Sequence, residues 1–206
     1  LLISINQFIK KGIDFETVFF LFLFFIPILA LIVFKSVVYD GWRHMFYVYP
    51  AILFFSIKFI YFLIQKFNRK KVVSIIVIYL LIIVTQIIQL HPFQNIYFNE
   101  FISKTELRQK YELDYWGTSF KTGINFVLED SKAVNIKICT SNQSGEFNTL
   151  LLPKTSKERI EFVSSPEDSD YFITNYRFHP EDYTFKDPMF SIKRYNNEIL
   201  TVFKMN

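Results

Sequence analysis

The first ninety residues form three long apolar stretches separated by short polar breaks. The stretches run from about residue 18 to 34, 45 to 65 and 72 to 90, and the first and third carry no charge. At 1.5 Å per residue the first stretch covers about 26 Å, close to the shortest helix that crosses a hydrocarbon core. The pattern therefore predicts three membrane-spanning helices rather than soluble core helices.

The second half of the chain has the patterning of a soluble domain. Apolar residues at helical spacing predict an amphipathic helix that begins at Thr118 or Ser119, as N-cap, and ends near Asp130. From Val134 to Thr140 apolar and polar residues alternate, which predicts a strand. Further strands are predicted at residues 159–163, 171–176, 190–195 and 198–204, with a helical turn around 146–152 and a tight turn at Asn196 and Asn197.

Charge predicts how these elements are oriented. The turn between the second and third stretches carries Lys66, Arg69, Lys70 and Lys71 and no acid, so the positive-inside rule places it in the cytoplasm. The break at 39–44 and everything after Leu90 are then outside. The predicted fold class is a membrane all-α region with three spans (residues 1–104) followed by a small extracytoplasmic α/β domain (residues 105–206). Lys58, inside the second stretch, is expected to extend towards the basic turn rather than to act on a substrate.

Composition excludes several classes of function. The net charge is +4, and the soluble half shows no basic face with interleaved aromatics, so nucleic acid is not an expected partner. Cys139 is the single cysteine, which rules out an internal disulfide. No Gly-rich phosphate loop, metal-ligand spacing or nucleophile motif is present, so no cofactor is evident, a divalent metal stays open and the catalytic residues are unknown. His179, Glu181 and Asp182 fit a solvated loop better than a metal site.

The break YDGWRHMFYVYP, residues 39–50, has the most distinctive chemistry. Asp40 stands where the N-cap of the second helix is expected. Arg43 and His44 follow at the positive end of the helix dipole, where cations are disfavoured unless an anion binds there. A phosphate suits the backbone N–H groups, guanidinium and imidazole, and at a membrane it would belong to a lipid. The alternative is that Trp42, Arg43 and Tyr47 anchor the helix at the interface, with Asp40 pairing Arg43.

A second polar segment, HPFQNIYFNEF at residues 91–101, follows the third stretch on the same predicted side. Phe93, Tyr97, Phe98 and Phe101 are spaced to form an interfacial belt. Alternatively, polar residues of the segment line a site shared with the first break. The candidates for that lining are His91, Tyr97, Asn99 and Glu100.

These segments resemble the C-terminal part of GT-C glycosyltransferases, in particular the bacterial group related to protein mannosyltransferases and aminoarabinose transferases. The resemblance covers nearly the whole chain, although its motifs are short. It is carried by three groups of residues: Asp40, Arg43, His44 and Pro50; His91, Pro92, Tyr97, Phe98 and Asn99; and Asp114, Tyr115, Trp116 and Gly117.

The resemblance implies a polytopic enzyme of the bacterial inner membrane that moves a sugar from a polyprenyl-phosphate carrier to an extracytoplasmic acceptor. Arg43 and His44 would hold the donor or leaving phosphate, and Asp40 would orient Arg43 or contact the sugar. The chain would then be a C-terminal fragment, inactive alone, because the catalytic acid or base usually lies in an earlier outer loop. The alternative is a non-catalytic membrane-anchored protein that binds a ligand or partner, such as a sensor or a polysaccharide-export accessory.

Overall fold

The structure is a computed structural model that describes residues 14–38, 42–186 and 188–205. The chain divides into two compact units, Leu1–Leu81 and Ile82–Asn206. Asp40, which the sequence predicts as an N-cap, lies outside the described residues.

Three long apolar helices confirm the predicted stretches. They are α1 (Phe15–Val33), α2 (Tyr49–Lys66) and α3 (Arg69–Leu90), and a 3-10 helix at Trp42–Val48 leads directly into α2. Within the described residues, three helical segments are long and apolar enough to cross a membrane, Phe15–Val33, Arg43–Lys66 and Arg69–Leu90. Most of their apolar side chains are exposed, as expected for helices whose solvent is lipid. The chain is therefore a membrane-associated protein.

Lys58 of α2 has a partner that its sequence position does not reveal. Its ammonium lies 2.9 Å from a carboxylate oxygen of Asp14 and 2.6 Å from the hydroxyl of Thr17. Asp14 also caps α1 by accepting a 2.7 Å hydrogen bond from the backbone N–H of Thr17. The hydrogen bond from Lys58 is the main reason that the pKa of Asp14 falls to about 2. Lys58 therefore connects α2 to the beginning of α1. Extension of its side chain towards the basic turn is not needed to account for a charged residue in this helix.

The second unit contains a five-stranded mixed sheet. Its strands are β1 (Ile136–Thr140), β2 (Ile160–Phe162), β3 (Tyr171–Thr174), β4 (Pro188–Arg194) and β5 (Asn197–Lys204). The strand order is β2-β1-β3-β5-β4; β1 pairs in parallel with β2 and β3, whereas β5 is antiparallel to β3 and β4. The helices of the unit are α4 (Leu107–Lys110), α5 (Phe120–Asp130), α6 (Ser144–Asn148) and α7 (Lys154–Lys157). These elements confirm the small α/β domain that the periodicity predicts.

Helix α5 covers one face of the sheet. Phe120, Ile124 and Val127 are fully buried in one core with Ile173 and Leu200, which confirms the helical spacing read from the sequence. Gly123 lets the helix approach closely, because a Cβ there would lie 2.8 Å from a methyl group of Leu200. The helix packs across β3 and β5, where the parallel part of the sheet meets the antiparallel part.

The β4–β5 hairpin is present, but the predicted turn residues are shifted by one. The positive φ angles are at Tyr195 (50°) and Asn196 (60°), while Asn197 already belongs to β5. The side-chain amide of Asn197 donates to the carbonyls of Tyr195 and Lys104, at 2.7 and 3.1 Å. Asn197 therefore supports the turn by hydrogen bonding instead of by its own backbone conformation.

Stability should fall at high pH because of Tyr171. Its phenol donates a 2.7 Å hydrogen bond to Asp130, and burial together with this acceptor raises the pKa of Tyr171 to about 12 from the usual 10. Because the folded value is raised, its contribution is complete below pH 10 and is lost as the pH rises through 12. Thermal unfolding of the full chain in detergent should therefore occur at lower temperature across this window. Tyr171→Phe should flatten the dependence only in part, since burial also raises the pKa of Tyr176 to about 12. An unchanged pH dependence in Tyr171→Phe would contradict this assignment.

Candidate functional site

Arg43 and His44 lie in the first turn of the 3-10 helix that opens the second candidate span. Both side chains are exposed. Val48, at the end of this 3-10 helix, and Ala51, in the first turn of α2, are fully buried and hold the segment in place. Pro50 also lies in the first turn of α2. The two cationic or donor side chains are therefore presented at the beginning of a spanning helix, as the sequence predicts.

This arrangement can bind an anion. The N–H groups of a first helical turn point away from the helix and carry partial positive charge. A guanidinium adds up to five donors and an imidazole one or two, all suited to phosphate oxygens. The predicted contribution of Asp40 remains a prediction, because Asp40 lies outside the described residues.

The segment after α3 is organised differently from the predicted aromatic belt. Phe93 and Ile96 are buried in the core of the sheet domain, and Phe98 packs on Tyr111 with their ring centres 5.1 Å apart. Only Phe101 of the predicted face is strongly exposed, at 89%. The belt is therefore wrong for Phe93 and Phe98. The reason is that the chain after Pro92 forms a short 3-10 turn, so helical spacing no longer decides which side chains share a face.

The polar residues proposed to line a shared site each have local roles. His91 Nδ1 lies 2.7 Å from the Gln94 amide, and Asn99 accepts a 3.0 Å hydrogen bond from the backbone N–H of Phe101. Glu100 accepts hydrogen bonds from Gln86 and Lys104, and the Gln86 contact is the main reason its pKa is lowered. Glu100 therefore has a structural role, because its carboxylate ties the segment after α3 to Gln86 in the last turns of that helix. Tyr97 is half-buried.

These residues belong to the second unit, Ile82–Asn206, whereas Arg43 and His44 belong to the first. A site shared by the two groups stays a prediction.

Asp114, in the segment DYWG, is buried and holds the turn that leads into α5. Its carboxylate accepts hydrogen bonds from the backbone N–H and hydroxyl of both Thr118 and Ser119, at 2.5–2.9 Å. Ser119 stands at the N-cap as predicted, but its hydroxyl donates to Asp114 and does not cap the helix. The side-chain amide of Asn95 also donates to the Asp114 carboxylate, at 3.4 Å. Asp114 thus connects the segment after α3 to α5, and its carboxylate is committed to structure.

The sequence alone does not reveal a polar cluster beyond the carboxyl end of β3. Asn175 is buried. Its side-chain N–H donates to the backbone carbonyl of Asp114 at 2.9 Å, and its side-chain oxygen accepts from the Asn142 amide at 2.8 Å. Because Asn142 follows β1, the cluster lies at the carboxyl ends of two neighbouring parallel strands. The connections from β1 lead to β2 on one side and then to β3 on the other, so this is a topological switch point, where α/β folds commonly bind ligands.

A cleft of about 230 Å³ borders this cluster. Two guanidinium groups form its walls: Arg177 donates to Glu112 and lies 4.0 Å above the Tyr115 ring, and Arg108 contacts Glu198 and lies 4.1 Å above the Tyr176 ring. Carboxylates already neutralise both cations. The cleft therefore suits a neutral polar ligand better than an anion. Its principal lining residues are Arg108, Tyr111, Glu112, Arg177, Phe178 and Glu198.

Asn175 lies near the end of the predicted strand 171–176 and Arg177 directly follows it, and this position is the one signal that the sequence offers for the cleft. Arg108 carries no sequence signal, since its partners Asp182 and Glu198 are 74 and 90 residues away. At the other end of the same loop, His179 lies 3.8 Å from Glu181 and stacks on Tyr183. Among the described residues, no group of three His, Cys, Asp or Glu side chains is placed to hold a metal ion.

Comparison of the chain with protein-family models, curated proteins and solved structures gives no match. The functional assignment therefore rests on the chemistry of the residues and on the resemblance of their motifs.

Proposed function

We propose that the chain is the C-terminal part of a GT-C-type glycosyltransferase that moves a sugar from a polyprenyl-phosphate carrier to an extracytoplasmic acceptor. The observation that carries the proposal is the exposed pair Arg43 and His44 at the beginning of a candidate spanning helix. A phosphate bound at this depth belongs to a lipid, and a sugar attached to that phosphate would lie at the membrane surface.

The chemical role of the pair follows from charge development. As the bond between sugar and phosphate breaks, negative charge grows on the leaving phosphate. Donors already aimed at that position stabilise the transition state more than the ground state. Arg43 and His44 supply such donors, and Asp40 would orient Arg43 or contact the sugar. The group that activates the acceptor is not assigned to any residue of this chain.

Transfer itself tests the proposal. Membranes containing the proposed polytopic enzyme are given a polyprenyl-phosphate-linked radiolabelled sugar, and label is followed into acceptor and free carrier. We expect release of polyprenyl phosphate in step with labelled acceptor. Absence of transfer across donors with different sugars, in protein that is folded and inserted, would count against the enzyme.

The proposed location is the inner membrane of a bacterium, with the α/β domain on the outer side. The basic turn after α2 includes Asn68, whose side chain caps α3 by accepting from the backbone N–H of Lys70 at 2.9 Å. Reporter fusions after Asn68 and after Asn206 should give opposite results, with the first cytoplasmic and the second outside. The same result at both positions would contradict the orientation.

A membrane-anchored ligand-binding protein is the second candidate, because the cleft at Arg108 and Arg177 combines aromatic side chains with paired charged groups that suit a small polar ligand. In that case neutral saccharides would bind the chain without any transfer. Phe178→Ala, which removes a side chain that is 72% exposed at the cleft, would then weaken saccharide binding but leave thermal stability unchanged.

A further inference from the structure

The segment that follows β1 carries a distinct exposed apolar face. Phe147, Leu150 and Leu151 are spaced i, i+3, i+4 in the continuous helical run formed by α6 and the 3-10 turn Thr149–Leu151. Their exposed fractions are 63%, 69% and 66%. We name these three residues the outer face. Contiguous exposed apolar side chains are a feature of surfaces that bind protein or membrane.

The segment is held firmly from its other side, so the outer face is not the result of fraying. Gly145 is buried against Thr140, to which a Cβ at position 145 would approach within 2.5 Å. The Asn148 amide donates to the carbonyls of Gly117 and Ser144 at 2.9 and 2.7 Å. Leu152 is buried in the domain core. The outer face is therefore presented by a fixed support.

The domain that carries the outer face is joined to a spanning helix without a linker. Ile82–Leu90, the last turns of α3, belong to the same compact unit as the sheet. Phe93 and Ile96, immediately beyond the helix, are part of the domain core. Gln86 within α3 donates a hydrogen bond to Glu100. The domain is therefore held at the end of a membrane helix, where a lipid surface is the nearest large apolar environment.

From these observations we propose that the outer face rests on the bilayer surface, with Phe147, Leu150 and Leu151 among the lipid headgroups and upper acyl chains. Phe and Leu are the side chains that interfacial helices bury in this zone. Lys154 and Lys157 follow the face, and the Lys157 ammonium reaches back to the Leu150 carbonyl at 2.9 Å. Their long apolar stems can lie along the lipid while the ammonium groups meet headgroup phosphates. Glu146 and Glu158 are also near, so apolar contact and not net charge is the main attraction.

A tryptophan reporter tests the proposal directly. The chain has two tryptophans, so Phe147→Trp is introduced together with Trp42→Phe and Trp116→Phe. The full chain is reconstituted into phosphatidylcholine nanodiscs with bromine on the upper acyl chains, and emission is compared with that in unbrominated discs. Acrylamide in the aqueous phase measures exposure to water. We expect bromine to remove most of the emission and acrylamide to have little effect.

The matched control is Val134→Trp in the same background. Val134 is 85% exposed but precedes β1, whereas the outer face follows it, so the two positions lie at opposite ends of that strand. The control should be quenched by acrylamide and not by bromine. If position 147 behaves like position 134, the face is in water and the proposal fails. If position 147 is shielded from both quenchers, protein covers the face, and the proposal fails equally.

A second variant separates docking from folding. Leu150→Gln with Leu151→Gln makes two exposed positions polar, which should leave the thermal unfolding of the domain unchanged. Bromine quenching at position 147 should then fall to the level of the Val134→Trp control. Full quenching in this variant would show that the outer face does not hold the domain on the lipid.

Discussion

Arg43→Ala is expected to abolish sugar transfer in the polytopic protein while leaving its expression and membrane insertion intact. The side chain is exposed in the first turn of the 3-10 helix before α2, so its removal opens no cavity. Under the proposed function the change removes a charged donor to the leaving phosphate, and loss of one such donor typically lowers the rate by about 100-fold or more. Initial rates of label transfer in membranes, normalised to the amount of protein, provide the measurement.

Two variants sharpen this expectation. Arg43→Lys keeps the charge but not the planar pair of donors, so the rate should recover only in part. Arg69→Ala removes an exposed arginine from the first turn of α3 on the predicted cytoplasmic side, and it should transfer at the wild-type rate. Equal loss in Arg69→Ala would mean that any basic residue near the membrane matters, and full activity in Arg43→Ala would leave Arg43 as an interface anchor.

Asp114→Ala should destabilise the sheet domain more than any other single change considered for it. Removal of the carboxylate leaves the buried backbone N–H of Ser119 and the part-buried backbone N–H of Thr118 without their acceptor, and it also detaches the hydroxyl of Ser119. Leaving these donors unsatisfied costs about 3 kcal/mol. For a domain of this size that lowers the unfolding temperature by about 10 °C or more.

The emission of Trp116, two residues from Asp114, can report this unfolding in a Trp42→Phe background. Asp182→Ala is the control, because its side chain is 81% exposed and pairs only at the surface with Arg108. The control should unfold within about 2 °C of the parent. If Asp114→Ala unfolds like the control but loses transfer, Asp114 acts in chemistry and the structural role given to it here is wrong.

The sequence predicts the elements of this protein better than their connections. Uninterrupted apolar length is sufficient to find α1, α2 and α3, because few soluble structures tolerate it. Period-two alternation finds β1, and helical spacing finds the buried face of α5. The parallel pairing of β1 with β2 and β3 depends on long-range packing, which no local pattern encodes.

The errors have local physical causes. Phe93 looks like an interfacial residue because it follows a spanning helix, yet the domain core begins directly beyond that helix and buries it. Asn197 looks like a turn residue, although Tyr195 and Asn196 take the positive φ angles. Asp114 looks like a candidate site residue in a short motif, but it is buried and its carboxylate holds the turn at Thr118 and Ser119 that leads into α5.

Of the candidate functional residues, the sequence predicts the position of only Arg43 and His44. Arg43 and His44 are adjacent in sequence and follow a polar break, so their placement at the start of a spanning helix could be expected. The cleft beside Arg177 joins residues that are far apart in the chain, and charge pairing across such distances leaves no periodic signal. Glu100 is the opposite case: it is a polar residue at the predicted position, but its carboxylate accepts a hydrogen bond from Gln86 of α3 and has a structural role.

Equilibrium binding of polyprenyl phosphate to the reconstituted chain is the decisive measurement for a phosphate site at Arg43 and His44. The wild-type chain and Arg43→Ala are each titrated with polyprenyl phosphate and, separately, with the polyprenol that lacks the phosphate. We expect the wild-type chain to bind the phosphate form much more tightly than the alcohol, and we expect Arg43→Ala to remove this difference. Equal affinity of the wild-type chain for both lipids would contradict a phosphate site at Arg43 and His44.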